Sequence, residues 1–211
     1  MISSVQIVAS NVARRYGRRW ALADVSFRVE SGELLMVAGH NGSGKSTLFR
    51  VLATAIRPDR GRVTIGGLDA VRDRDELRRS IALLSHASYL YDSLSARENL
   101  EVVARFLGDT STVAQHLERV GLARRANDAV ATFSAGMRKR LSIARVLLQR
   151  PRLVLLDEPY GQLDPEGFAL IDDLVRELKR DGATVLMATH QVEHVAPLAD
   201  RTLTLSEGRI V

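Results

Sequence analysis

Between Val5 and Val29 apolar residues alternate with polar ones. Val5, Ile7 and Val12 come first, and Leu22, Val25, Phe27 and Val29 follow a turn at Arg15-Tyr16-Gly17-Arg18. That period of two predicts strands with one covered face. Two later stretches, Leu34 to Ala38 and Leu153 to Leu156, are continuously apolar, as strands buried on both faces of a parallel sheet are, and Ala183 to Ala188 reads as a further buried strand. A short β stretch, Arg62 to Ile65, runs into the Gly66-Gly67 turn. Residues 75 to 83 read as a short helix feeding an apolar strand, Ile81 to Leu84.

Helical spacing fills much of the rest. A helix over Thr47 to Ala55 follows the first buried strand and breaks at Arg57-Pro58-Asp59-Arg60-Gly61. Ser95-Ala96-Arg97-Glu98 is a capping box, so a helix opens there and runs to about Leu107, ahead of Gly108. Another spans Thr112 to Val120. The whole stretch from Ser95 to Arg150 reads as helical. A helix opening near Pro165 keeps Phe168, Ile171, Leu174, Val175 and Leu178 on one face and stops at Gly182. The chain ends on a β stretch broken at Glu207-Gly208. Strands alternating with helices predict an α/β fold, a parallel sheet with helices on its faces. We expect one folding unit over residues 1–211. Its core and β subdomain take about 1–84 and 151–211, and a helical subdomain is inserted over about 85–150.

Composition narrows the class. At 211 residues, 45% of them hydrophobic and with a mean hydropathy of -0.04, the chain suits one well-buried globular core. Its apolar runs fall far short of the ~18 residues of a membrane span. MISSVQIVAS has no basic segment ahead of an apolar one, so no secretory signal is expected. With no cysteine, disulfides and thiolate chemistry are excluded. These features suit the cytoplasm. A net charge of +5 can mean nucleic acid or an anionic membrane surface. The arginines are scattered, however, through Arg14/Arg15, Arg18/Arg19, Arg78/Arg79, Arg124/Arg125 and Arg138 to Arg140. They read as solvated helix faces, and no nucleic-acid partner is expected.

The chemistry starts at Gly39-His40-Asn41-Gly42-Ser43-Gly44-Lys45-Ser46-Thr47, which fits the phosphate-loop pattern of Gly, four free positions and Gly-Lys-Ser. It lies between a buried strand and a helix. Glycines there let successive N–H groups curl around phosphate oxygens, and the helix start favours their negative charge. Lys45 is expected to reach the outer phosphates, and the Ser46 hydroxyl to ligate magnesium. A second pair of groups, Asp157-Glu158, closes a buried strand, and ligands of open parallel sheets bind outside such strand ends. Asp157 can hold magnesium directly or through water, and Glu158 can orient or deprotonate the attacking water. His190, at the end of the next strand, can hydrogen-bond the γ-phosphate. Tyr16 reads by itself as an ordinary half-buried tyrosine.

Phe133-Ser134-Ala135-Gly136-Met137-Arg138-Lys139-Arg140-Leu141, shortly before Asp157-Glu158-Pro159, resembles the signature motif of the ABC-type ATPases, commonly Leu-Ser-Gly-Gly-Gln. The resemblance extends from Tyr16 to Glu207-Gly208-Arg209. It implies a P-loop NTPase fold with a RecA-like parallel core, an antiparallel β subdomain and an inserted helical subdomain. It also implies ATP and Mg2+ as ligands. Tyr16 then falls where the family stacks an aromatic ring on adenine, Leu163-Asp164 resembles the D-loop, and Thr189-His190 the switch histidine. His86 falls at the Q-loop glutamine, between magnesium and a membrane partner. Two such domains pack head to tail around two ATPs, as a homodimer or with a similar subunit. Ser134 and Gly136, placed just before a helix over Met137 to Gln149, then face the partner's γ-phosphate.

Departures from the pattern are Ala135, which adds a methyl; Met137, which lacks the amide; His86 in place of Gln; and Gly161-Gln162 before Leu163-Asp164. Lys45, Asp157, Glu158 and His190 all remain, so an active ATPase is expected. The resemblance implies the ATP-binding subunit of a membrane transporter, peripheral on the inner face of the cell membrane. Its permease subunit would dock near His86 to Leu94, where Tyr89, Leu90, Tyr91 and Leu94 stand among polar residues. Small size without a C-terminal extension, His86, Ser134-Ala135-Gly136 and Thr189-His190-Gln191 are similar to the haem exporter subunit of cytochrome c maturation. The alternative is a soluble relative acting on DNA or ribosomes, a group that usually carries long coiled-coil insertions or two nucleotide domains.

Overall fold

Two sheets carry the fold in the computed structural model, which describes residues 5–85 and 87–211. The alternating N-terminal segments form β1 (Ile7–Tyr16) and β2 (Arg19–Val29), an antiparallel hairpin. After β3 (Leu34–Ala38) and α1 (Lys45–Leu52) come β4 (Arg60–Ile65) and β5 (Leu68–Asp69), which complete a four-stranded sheet in the order β2-β1-β4-β5. The one-turn helix α2 (Arg74–Leu77) leads into β6 (Ile81–Leu84). Three helices follow, α3 (Ala96–Leu107), α4 (Val113–Arg119) and α5 (Ala135–Gln149), and they pack on one another. The chain closes with β7 (Leu153–Asp157), α6 (Pro165–Arg180), β8 (Thr184–Ala188), α7 (Val192–Val195), β9 (Arg201–Ser206) and β10 (Arg209–Ile210).

The second sheet has the order β10-β9-β3-β8-β7-β6. It is parallel throughout except for the β10 and β9 pair. Successive side chains of a strand point to opposite faces, and here each face has its own core. Leu34, Met36, Val154, Leu156, Val185 and Met187 pack with α3, α4, α5 and α6. Their neighbours Leu35, Val37, Leu153, Leu155, Leu186 and Ala188 pack with Leu48, Phe49 and Leu52 of α1 and with Ile7, Val25 and Ile65 of the antiparallel sheet. Every residue of β7 and β8 is therefore buried, and this double cover is why their sequences read as apolar runs.

Several boundaries differ from expectation. α1 opens at Lys45 rather than Thr47, because Gly44 at φ 114° makes the turn that starts it, and it ends at Leu52, before Thr54 at φ 57°. The helix expected over 75 to 83 is the single turn of α2, since residues from Ile81 pair with β7 instead. Between α4 and α5 the chain makes only two 3-10 turns, Ala123–Arg125 and Val130–Thr132, so the stretch from Ser95 to Arg150 is not helical throughout. Among the described residues, no helix is long and apolar enough to cross a membrane.

Candidate functional site

β3, β8 and β7 lie side by side and run parallel, so the loops after Ala38, Asp157 and Ala188 emerge at one edge of the sheet. A cavity of about 380 Å3 opens there, lined by Tyr16, Arg19, Asn41, Gly42, Gly44, Lys45, Ser46, Thr47, Asp157, Glu158 and His190. Gly39, His40 and Ser43 build the same loop without lining the cavity. His86 lies outside the described residues.

The loop after β3 requires glycine at two points. Gly39 stands at φ 147° and Gly44 at φ 114°, where a Cβ would come within 2.3 Å of the Leu205 carbonyl oxygen and 2.4 Å of the Ala21 carbonyl oxygen. The C-terminal hairpin pins the loop from outside. The Gly208 N–H donates to the Ser43 carbonyl (2.9 Å), and the Gly208 carbonyl accepts the Ala23 N–H (2.7 Å). α1 has no side-chain cap and no acidic residue in its first turn, which leaves its first N–H groups and the positive end of its dipole open to an anion. Lys45, buried at 7% exposure, arches over the loop and donates to the Gly39 (2.7 Å) and His40 (3.1 Å) carbonyls.

Asp157 is the last residue of β7, buried, and its Oδ1 has no hydrogen-bond partner among the described residues. Glu158 stands at φ 50°, with its N–H on the Ala188 carbonyl (2.8 Å). Its Oε2 accepts the His190 N–H (3.1 Å), and its Oε1 lies 3.3 Å from His190 Nε2. That last approach is an ion-pair distance without hydrogen-bond alignment, since Oε1 has no hydrogen-bond partner. His190 Nε2 is better placed on Asn41 Oδ1, at 2.8 Å. The imidazole thus spans from the phosphate loop to the carboxylate.

Two residues that motif reading passed over belong to this region. Arg19 lines the cavity beside Gly42; within the Arg18/Arg19 pair it read only as surface charge. Lys139 of α5 is 7% exposed and donates to the Glu158 carbonyl (3.0 Å). Burial pushes its pKa down to about 8, against the pull of Asp157 and Glu158. The available signal was spacing, because Lys139, Ile143 and Val146 lie on one buried stripe of α5. Tyr16, 46% exposed, lines the cavity with its ring 5.3 Å from the Arg14 guanidinium.

Ser134 and Gly136 lie apart from the cavity lining. Ser134 is the N-cap of α5, its Oγ accepting the Met137 N–H (3.2 Å). Gly136 does not precede the helix, as expected, but is its second residue: Ser134 in extended conformation is the cap, so helical geometry begins at Ala135. A Cβ on Gly136 would sit 3.0 Å from the Gln162 carbonyl, so this helix start packs against the segment leading to α6. Arg140 reinforces the contact by donating to Asp164 Oδ1 (2.7 Å). That carboxylate also caps α6 through the Gly167 N–H, and the two contacts, Gly167 first, hold its pKa below the ordinary carboxylate value.

A strand-edge cradle for phosphates beside a strand-end carboxylate pair defines a nucleotide-hydrolysing P-loop protein. Residues 22–161 match the ABC transporter family. The chain belongs to that family, as an ATP-binding subunit and an ATPase with a P-loop NTPase fold. It is 39% identical over 215 residues to the daunorubicin resistance ATP-binding protein DrrA3 of Streptomyces coeruleorubidus, a match covering 100% of this chain and 68% of that relative. It is also 39% identical over 218 residues to the phosphonates import ATP-binding protein PhnC of Frankia casuarinae, covering 95% of this chain and 86% of that one. An ATP-binding cassette solved as a dimer in a post-hydrolysis state with ADP and Pi aligns over 97% of this chain and 96% of its own, with 29% identity and a TM-score of 0.88. An ATP-bound bacterial exporter of the Atm1 family aligns over 100% of this chain and 39% of its own, with 25% identity and a TM-score of 0.88.

Proposed function

We propose that this chain closes head to tail with a second ATPase subunit over two ATP molecules, and that opening after hydrolysis drives a separate permease. The observation that carries this reading is the separation of Ser134 and Gly136 from the cavity of their own chain. One chain supplies the phosphate cradle and the carboxylates. A second supplies the start of α5, whose amides and dipole are unopposed by any acid in its first turn.

Within that arrangement the loop from Gly39 to Thr47 wraps the phosphates with N–H groups, Lys45 leaves its loop carbonyls for the outer phosphate oxygens, and Tyr16 stacks on adenine. Glu158 orients and deprotonates the attacking water. His190, already on Asn41 and Glu158, exchanges the Asn41 amide for the γ-phosphate and registers its loss. Among the described residues no cluster of three carboxylates and histidines could hold a metal alone. Magnesium bound to nucleotide needs few protein ligands, and the unpartnered, buried Asp157 Oδ1 with the exposed Ser46 hydroxyl fits that demand. When bound, Mg2+ neutralises charge developing on the β- and γ-phosphates.

The helical insertion and the rest form one ATPase unit, and the loop before α3 receives the permease. In that loop Tyr89 and Tyr91 are 57% and 59% exposed, and Tyr89 borders a cavity with Ala53, Val103 and Arg145. The location follows from this partner, at the inner face of the membrane. For cargo we propose outward movement of a small molecule, the direction that resistance of the kind named for DrrA3, whose match spans the whole chain, would require. A haem cargo rests only on His86, Ser134-Ala135-Gly136 and Thr189-His190-Gln191.

Glu158→Gln tests the clamp. Hydrolysis is expected to fall by about 10²-fold or more, the scale of a lost general base, and the variant should elute as a dimer in ATP during size-exclusion chromatography. A variant that stays monomeric at saturating ATP removes the head-to-tail reading.

A further inference from the structure

Lysine is rarely buried, yet Lys139 is 7% exposed, and although Asp157 and Glu158 lie near enough to attract its charge, its ammonium donates to a main-chain carbonyl, that of Glu158. That carbonyl belongs to a residue in the left-handed region, φ 50°, a conformation that residues other than glycine rarely adopt. The Glu158 N–H is held on its other side by the Ala188 carbonyl. The peptide groups flanking the Glu158 Cα are therefore tied to two separate elements, β8 and α5. Together with the Gly161 N–H, which the Glu158 carbonyl also accepts (3.3 Å), they set the direction in which the carboxylate leaves the backbone, towards His190.

We propose that Lys139 is a positioning residue for hydrolysis, fixing the backbone of Glu158 so that its carboxylate meets the attacking water. The proposal rests on the reading of Glu158 given above. It also gives α5 a second task. Ser134 caps this helix at the end offered to the other subunit's nucleotide, and Lys139 ties the same helix to the Glu158 main chain of its own subunit. A small displacement of α5 is then felt at Glu158, because packed helices move as bodies rather than deform.

The test is steady-state ATP hydrolysis with Mg2+ by Lys139→Met and Lys139→Arg, with thermal melts of each. Methionine fills the space without a donor, and kcat should fall by about 10²-fold, the cost of a reacting group misplaced by roughly 1 Å. KM for ATP should stay within about twofold. The melts report stability separately from turnover, because removing the buried cation also takes its attraction away from Asp157 and Glu158, and rates are compared between variants folded at the assay temperature. Arginine restores a donor and should recover most of the lost kcat. The proposal is overturned if Lys139→Met keeps kcat within about twofold of the parent, if KM rises in step with the loss, or if arginine restores stability but not turnover. Should the methionine variant fail to fold, Lys139→Leu, also apolar and without a donor, takes its place under the same criteria. Glu158→Gln separates the two readings. If it is slow while Lys139→Met is fast, only the positioning role fails. If it hydrolyses ATP at the parental rate, the role of Glu158 itself fails.

Discussion

Two pairs of helix starts in this molecule are built in opposite ways. α3 and α6 supply their own anions: Ser95 and Glu98 satisfy each other's backbone at the start of α3, and Asp164 caps α6 with Glu166 in the first turn. α1 and α5 have no acid in the first turn; Gly44 offers no side chain and Ser134 only a hydroxyl. Orphan N–H groups and the helix dipole exist at all four starts. The difference is whether the chain neutralises them from within. Where it does, the start is a structural joint. Where it does not, a phosphate can complete it: α1 and α5 carry the phosphate loop and the Ser134-Ala135-Gly136 segment, whereas the start of α4 at Thr112, also without an acid or a side-chain cap, carries no such motif.

The largest effect should come from the open end of α1. Lys45→Ala removes the ammonium that now satisfies the Gly39 and His40 carbonyls and that we place on the outer phosphates. With two charge-assisted hydrogen bonds at stake, ATP affinity by calorimetry should weaken by at least about 10²-fold. Circular dichroism should stay that of the parent, because the loop glycines still set the path. Undiminished affinity would mean that amides and dipole alone hold the nucleotide, and the open-start comparison would then need no side chain at all.

Much of this was legible along the chain. Period-two alternation marked the antiparallel strands, apolar runs marked β3, β7 and β8, and the Gly-Lys-Ser and Asp-Glu clusters marked the strand ends where they meet. Short elements were not legible. β5 has two residues and α7 four, too few for any period to show. Nor were contacts that only the closed fold creates. Nothing near Gly39 announces that Leu205 leaves no room for a Cβ, or that Gly208 supports Ser43. Lys139 was hidden by its neighbours, since Arg138, Lys139 and Arg140 read as one solvated patch, whereas the helix turns only the middle residue inward. The reverse holds for Ser134, whose capping role is local and visible, but whose distance from the cavity depends on how α5 lies across the sheet.

A matched pair of serines sharpens the comparison. Ser95→Ala and Ser134→Ala each remove an N-cap hydroxyl, from Glu98 N–H (3.2 Å) and from Met137 N–H (3.2 Å). Each should cost about 1 kcal/mol in chemical denaturation. Only Ser134→Ala should also slow ATP turnover, by roughly tenfold, the loss of one good hydrogen bond to a phosphate oxygen. Equal effects on turnover would make α5 another structural joint and deprive the head-to-tail clamp of its second half.

The smallest effect belongs to the closed start of α3 and is read through pH. The Glu98 carboxylate accepts the Ser95 N–H (2.8 Å) and the Ser95 hydroxyl (2.7 Å), and these bonds, the backbone one first, hold its pKa below the ordinary 4.5. A carboxylate with a lowered folded-state pKa binds protons less readily in the native state than in the unfolded one. Its stabilisation is therefore full above pH 4.5 and is lost as pH falls through the folded value. Thermal melts of the parent and of Glu98→Ala should differ at pH 7 and converge as pH falls from 4.5 through the lowered folded-state pKa, where the parent's own carboxylate takes up its proton. ATP turnover at pH 7 should be the same in both, because this helix start is already closed by its own anion. A melting difference that stays undiminished throughout the acid range below pH 4.5 would show that the charge of Glu98 plays no part in closing α3.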